Sequence, residues 1–225
     1  MSSAIEIYNR ALSRIGVSDF IGDPNEQSKA GGLYRLWYGA CVDSCLRDFP
    51  WNFASSVVPL ALFSGDPPPG WQYKYAYPVD CHAARVIADS RGMRTLLTSV
   101  FQAWDCYAGR YPDSARQTVP FQIMSEADTP ATRRRIIVTD MPQAYLFYTA
   151  KITDPNLFDP GFADALSWRI AAEIAAPFLG APTGPQVANS AGAQYRNAVA
   201  TAKAQTLNES GQDYRPDSPA VAARA

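Results

Sequence analysis

The stretch Leu46-Arg47-Asp48-Phe49-Pro50-Trp51-Asn52-Phe53-Ala54 decides the fold, because one periodicity stops within it and another begins. Upstream, Ala30, Leu33, Tyr34, Trp37, Cys41, Cys45 and Leu46 recur at three and four, which predicts a helix running roughly from residue 27 to residue 47 with these side chains on its buried face. Pro50 has no amide hydrogen to continue that helix and marks its end. Trp51, Asn52 and Phe53 then lead into a strand-like run, Ser56 to Phe63.

Toward the N-terminus, Ser3 and Glu6 have capping-box spacing, and Ile5, Tyr8, Leu12 and Ile15 repeat at three and four before Gly16. A short amphipathic first helix follows from this, separated from the second by the turn-like Gly22-Asp23-Pro24-Asn25. Gly31 and Gly32 weaken the first turns of the second helix. In the other direction, Gly65-Asp66-Pro67-Pro68-Pro69-Gly70 forms a rigid loop before Trp71, Tyr73, Tyr75 and Tyr77, whose period of two places four rings on one strand face. They can serve there as a sheet core or as a contact surface. Further strands are predicted at Ala84 to Ala88, Leu96 to Val100, Val119 to Met124, Arg135 to Thr139 and Ala144 to Ala150.

Helical spacing returns at Asp159, a cap followed by Pro160 at the first helical position, with Phe162, Leu166, Ile170 and Ile174 every four residues and an end expected near Ala176, ahead of Pro177. After a Gly/Pro loop from Leu179 to Pro185, a last helix is predicted from Gln186 to Asn208. Alanine dominates it, and Val187, Tyr195, Val199 and Leu207 are its larger apolar residues. Alanine supplies propensity but little burial, so this helix must pack on a small-faced partner or a neighbouring subunit. The sum is an α+β chain: a helical bundle built from both chain ends (1–55 and 153–209) with a mostly antiparallel β-domain inserted at 56–152, and a tail at 210–225 that alone lacks the bulky residues to fold.

Composition narrows the function. With 20 basic and 21 acidic residues the net charge is -1, which gives the whole molecule no electrostatic bias toward nucleic acid or anionic membranes. Charged residues are 18% and aromatics 12%, including 12 Tyr and 5 Trp, so part of the aromatic material is available to a partner. No apolar run reaches membrane-helix length and no signal-peptide pattern opens the chain, so folding in the cytoplasm is expected. Cys41, Cys45, Cys81 and Cys106 lack CxxC spacing, and the single histidine, His82, completes no zinc motif; buried thiols are the expectation. Nucleophile-elbow, Walker, Rossmann and zinc-protease motifs are absent, and Gly180-Ala181-Pro182-Thr183-Gly184 reads as a plain loop. Asp80, Cys81 and His82 adjoin, but neighbours on an extended segment diverge and make a poor dyad. Glu6, Glu26 and Glu173 are the carboxylates that a glycan-cleaving site would draw on, against a plainer reading as solvated or capping groups. Arg133-Arg134-Arg135 is either a solvated turn or, repeated around a ring, a belt that meets DNA backbone or an acidic partner.

The segment Leu46 to Ala54 resembles the tail tubular protein A, or head-to-tail adaptor, family of short-tailed bacteriophages. The resemblance continues in Ile7-Tyr8-Asn9-Arg10-Ala11-Leu12 with Ile15-Gly16, in Pro59-Leu60-Ala61, in Pro69-Gly70-Trp71, and in Tyr75-Ala76-Tyr77-Pro78-Val79-Asp80-Cys81, where many members carry leucine in place of Val79. Phe158-Asp159-Pro160-Gly161-Phe162 with Ala165-Leu166 and Ala171-Ala172 resembles the family's second signature. It implies a bundle carrying a β-rich domain, and a ring of subunits, usually twelve, that docks beneath the phage portal. The ring offers a platform to the tail nozzle and continues the channel through which double-stranded DNA passes without sequence recognition. The chain would be assembled in the host bacterial cytoplasm and reside in the virion tail, with its Gly211 to Ala225 segment reaching toward the portal. No catalytic centre, cofactor or metal carries over, so an enzyme is not expected; a virion-associated cell-wall hydrolase is the alternative, and a host-side binding module the third reading. Trp51, Phe53, Trp71, Tyr73, Tyr75, Tyr77 and Tyr214 are the interface candidates, with Trp51 and Phe53 also expected to anchor the helix-to-strand junction.

Overall fold

A computed structural model of the chain describes residues 3–90, 119–129 and 132–208. Helices from both chain ends flank an inserted antiparallel β-domain, the α+β architecture expected from the sequence. The Leu96–Val100 strand, Cys106 and the tail with Tyr214 fall outside the described residues, as does the side chain of Leu207.

Helix α1 spans Ala4–Arg14 and begins with the predicted capping box: the Ser3 hydroxyl accepts from the Glu6 amide, and the Glu6 carboxylate accepts from the Ser3 amide at 2.8 Å. Helix α2 spans Lys29–Asp48 with Ser28 as its cap. Gly31 is no weakness there, because a side chain at that position would collide with the carbonyl of Glu26, so the close turn into α2 requires glycine. Helix α3 spans Pro160–Leu179 with Asp159 capping the amide of Gly161. It runs through Pro177 rather than stopping before it. Pro177 lies on the exposed side of the final turn, where it forfeits one amide donor and the helix continues for two residues. Helix α4, Thr183–Asn208, starts earlier than expected and shrinks the preceding loop.

The small-faced partner of α4 is α3 of the same chain. A Cβ on Gly161 would sit 2.9 Å from the Cβ of Ala202, and one on Gly184 would sit 2.8 Å from the Cα of Ala176, so glycine permits close approach at both ends of the helix pair. Ala191, Tyr195, Val199 and Ala202 face Ala171, Ile174 and Ala175 in one bundle core with Ile7, Tyr8, Leu12, Cys45 and Leu46.

Strands β1 (Ser55–Pro59), β3 (Cys81–Ala88) and β6 (Tyr145–Ala150) form one sheet in the order β1-β6-β3. Strands β2 (Tyr73–Ala76), β4 (Phe121–Thr129) and β5 (Thr132–Thr139) form a second in the order β2-β5-β4, and every pairing is antiparallel. Leu60, Tyr75, Cys81, Ile87, Ile137, Leu146 and Tyr148 join the two sheets in a common core, a small sandwich. The run predicted as one strand, Ser56 to Phe63, changes sheets: β1 pairs with β6, Leu60 donates to Ala144, and Leu62 then bridges Tyr75 of the other sheet.

The chain leaves and re-enters the bundle at one point. Trp51, Phe53, Phe158 and Phe162 form an edge-to-face cluster there, with Trp51 and Phe162 ring centres 5.1 Å apart and Phe158 and Phe162 4.8 Å apart. Aromatic pairs in this geometry contribute about 0.5–1.5 kcal/mol each beyond their buried area. Trp51 is fully buried and donates its indole N–H to the Cys45 carbonyl at 2.8 Å.

Candidate functional site

The most particular local chemistry lies where the sandwich meets the end of α2. A helix ends with carbonyls that have no intrahelical donor, and here side chains from downstream supply them. The Trp51 indole takes Cys45, and one Arg85 nitrogen takes Leu46 at 3.2 Å and Arg47 at 3.0 Å. The Arg85 Nε donates to the Thr149 hydroxyl at 3.0 Å, tying the guanidinium to the sheet. His82 Nε2 lies 2.7 Å from the Asp43 carbonyl, and its Nδ1 is 4.0 Å from the Asp43 carboxylate. Positive charge at a helix C-terminus also opposes the macrodipole favourably. His82 and Arg85 reach the helix because each falls at a register shift of β3, between Cys81 and Ala83 and between Ala84 and Val86, where a bulge turns a side chain out of the ladder.

Asp80, Cys81 and His82 diverge accordingly. Asp80 accepts from the Tyr148 hydroxyl at 2.8 Å, Cys81 faces the sandwich core, and His82 faces α2. Burial pushes the Cys81 thiol up, and it pushes Cys41 and Cys45 up to about 12, so these thiols stay protonated and inert at neutral pH. Cys45 sits beside Tyr195, whose hydroxyl donates to the Asp48 carboxylate and whose ring lies 5.7 Å from the Arg169 guanidinium. Glu6 is consumed by its capping box, Glu26 accepts from the Gly22 amide, and Glu173 pairs with Arg169 at 3.1 Å. Each of the three carboxylates thus has a local structural partner. Among the described residues no group of three or more His, Cys, Asp or Glu side chains gathers as a metal site, and no helix is long and apolar enough to cross a membrane.

The four-ring strand face is only partly available to a partner. Tyr75 is fully buried and donates to the Met141 carbonyl at 2.7 Å, while Tyr73 stacks on it with ring centres 6.4 Å apart. Tyr77 is half-buried under Arg135, whose guanidinium lies 4.0 Å from the ring centre, and Trp71 is half-exposed. Trp51 and Tyr75 are therefore core residues rather than interface residues, and Phe53 is largely enclosed by Phe158 and Phe162. The three consecutive arginines do not form one patch, because the pleat sends Arg134 to one face of β5 and Arg133 and Arg135 to the other. Arg133 donates to the Ser125 hydroxyl at 3.2 Å. On the Arg134 face, buried Lys74 makes a two-oxygen contact with Glu126 at 2.8 and 3.0 Å. Neither the capping of α2 by Arg85 nor the Lys74–Glu126 pair has a local sequence signal, since the partners lie about forty to fifty residues apart.

The chain matches no protein-family model and no curated protein sequence.

Proposed function

We propose that the chain is a non-enzymatic structural subunit of a phage portal-to-tail adaptor ring, placed in the virion tail and lining part of the channel for DNA ejection. The observation that carries this reading is the aromatic cluster at the bundle–sandwich stem. Two of the segments that carry the resemblance, Leu46–Ala54 and Phe158–Phe162, are distant in sequence and meet there in Trp51, Phe53, Phe158 and Phe162. A stem bolted in this way, with α2 capped by the sandwich, suits a part that holds its shape between two larger bodies. The local engagement of Glu6, Glu26 and Glu173 supports the reading against a glycan-cleaving site. The test is native mass spectrometry of the chain mixed with rings of its portal. A discrete complex with one chain per portal subunit is the expected result. Failure to associate across a range of salt overturns the proposal, and fragment release from peptidoglycan by the purified chain transfers it to a hydrolase.

A further inference from the structure

A strand at the edge of a sheet presents unpaired amides and carbonyls to any second extended chain, and folded proteins blunt such edges with proline, charge, bulges or cover. Most edges of this sandwich are blunted. β1 is five residues long and ends in Pro59, and β3 carries two register shifts. β2 is covered by the Leu62 bridge and by the bonds that join Phe63 to Lys74 and Ala76 to Ala61. β5, where it runs past β2, carries three consecutive arginines.

β4 is the exception. It is nine residues long, pairs with β5 along one side, and has no strand along the other among the described residues. From Phe121 to Ser125 it contains no charge, no proline and no register shift, and the consecutive residues Gln122, Ile123, Met124 and Ser125 are all exposed. Ile123 and Met124 place apolar surface on both faces of this edge. β2 supports β5 only from Ile136 to Thr139, so the outer half of the β4–β5 hairpin has two strands among the described residues. Two strands alone are marginally stable in water, and a further strand on β4 supplies the third.

The sequence of β4 is its own complement. In an antiparallel pair of two β4 strands with Met124 on the two-fold axis, Gln122 lies opposite Glu126, Ile123 opposite Ser125 and Phe121 opposite Ala127, each pair occurring twice. On one face the Gln122 amide meets the Glu126 carboxylate, which remains 37% exposed beside Lys74. On the other, large side chains fall on small ones. Moving the axis to Glu126 sets two carboxylates directly opposite each other, so charge selects against that register.

We infer that β4 of one copy pairs with β4 of a second copy, antiparallel and about a two-fold axis at Met124. The same patch serves both copies, so the contact is isologous and closes as a dimer. It belongs to the free chain and does not rest on the ring reading, in which neighbours meet through two different surfaces.

The test uses full-length variants. Sedimentation velocity across a concentration series should show the parent chain in monomer–dimer equilibrium, and amide exchange over Phe121–Ala127 should slow as the dimer fills. Met124→Glu sets carboxylates face to face on the axis and should associate at least about tenfold more weakly, roughly 1.4 kcal/mol, with an unchanged melting curve because Met124 is exposed. An equimolar mixture of Met124→Glu and Met124→Lys should associate more strongly than either variant alone, since opposite charges then meet across the axis. Leu36→Glu, at an exposed apolar position on α2, should leave association unchanged. A parent chain that stays monomeric throughout the series, Met124→Glu associating as the parent does, or no gain on mixing overturns the inference. A Met124→Glu chain that loses portal binding while self-associating like the parent also overturns it and assigns the edge to a portal strand.

Discussion

Replacing Arg85 by methionine keeps the length of the side chain and removes every donor that this residue offers to the end of α2 and to β6, leaving the contact of His82 with Asp43 in place. The Leu46 and Arg47 carbonyls lose their bonds at 3.2 and 3.0 Å, and the fully buried Thr149 loses its partner at 3.0 Å. The two carbonyls lie at the edge of solvent, so each is worth about 0.5–1 kcal/mol, and the stranded hydroxyl costs about 1 kcal/mol. Removing the charge from a helix C-terminus adds roughly 0.3–1 kcal/mol. The total is about 3 kcal/mol, which for a chain of this length lowers the melting temperature by about 6–12 °C. Arg85→Lys should fall between, because an ammonium keeps the charge but cannot serve helix and sheet together as the planar fork does. Urea unfolding followed by far-UV circular dichroism and tryptophan emission reads both variants. In a background that keeps Trp51 as its one tryptophan, the methionine variant should also separate the two probes, since that indole reports the stem. A methionine variant within about 0.5 kcal/mol of the parent, with coincident probes, refutes the argument that this guanidinium fastens sandwich to bundle.

Gly161→Val and Gly184→Ala should each lower the urea midpoint by an amount equivalent to about 1–3 kcal/mol, because the new atoms meet Ala202 and the Ala176 backbone at under 3.0 Å; Gly32→Ala, whose Cβ meets nothing within 4 Å, should stabilise slightly. Stability should fall as the pH rises from about 9 toward 12. The Cys41 and Cys45 thiols are raised from 9.0 to about 12 in the fold, so between those values the folded state holds protons that the unfolded chain has lost, with a slope approaching 1.4 kcal/mol per pH unit for each. Cys41→Ala should flatten that descent in equilibrium melts. In a Cys106→Ser background the remaining thiols should resist an aromatic disulfide reagent at pH 8 until denaturant is added, and rapid reaction of the folded chain would contradict their burial.

The helices were legible because their signals are local: Ser3 with Glu6, Asp159 with Pro160, the three-and-four spacing in α1 and α2 and the spacing of four in α3 each lie within a few residues. Helix ends were less so. Pro177 reads as a stop, yet on an exposed final turn its cost is one hydrogen bond, and packing of α3 on α4 outweighs it. Alternation around Tyr73 and Tyr75 revealed a strand but not what covers it, since burial of Tyr75 depends on Leu60, Ile137 and Leu146 arriving from elsewhere in the chain. Strand β3 was foreseen only from Ala84 because its inward residues, Cys81, Ala84 and Ile87, recur every three rather than every two. The site-bearing residues Arg85 and His82 carry no motif, and Arg133 to Arg135 looked like one patch because a linear run hides the pleat.

The two bulges of β3 give that strand slack in its length. Eight residues, Cys81 to Ala88, face six, Tyr145 to Ala150. Each bulge holds one residue more than the partner strand, so deleting His82 or Arg85 alone would close that bulge and leave Val86 and Ile87 on their present faces. Deleting both restores plain alternation along the strand. Such a chain would keep its sandwich and lose its His82 and Arg85 contacts with the bundle, whereas an added residue would have to open a further bulge or exchange inside for outside downstream.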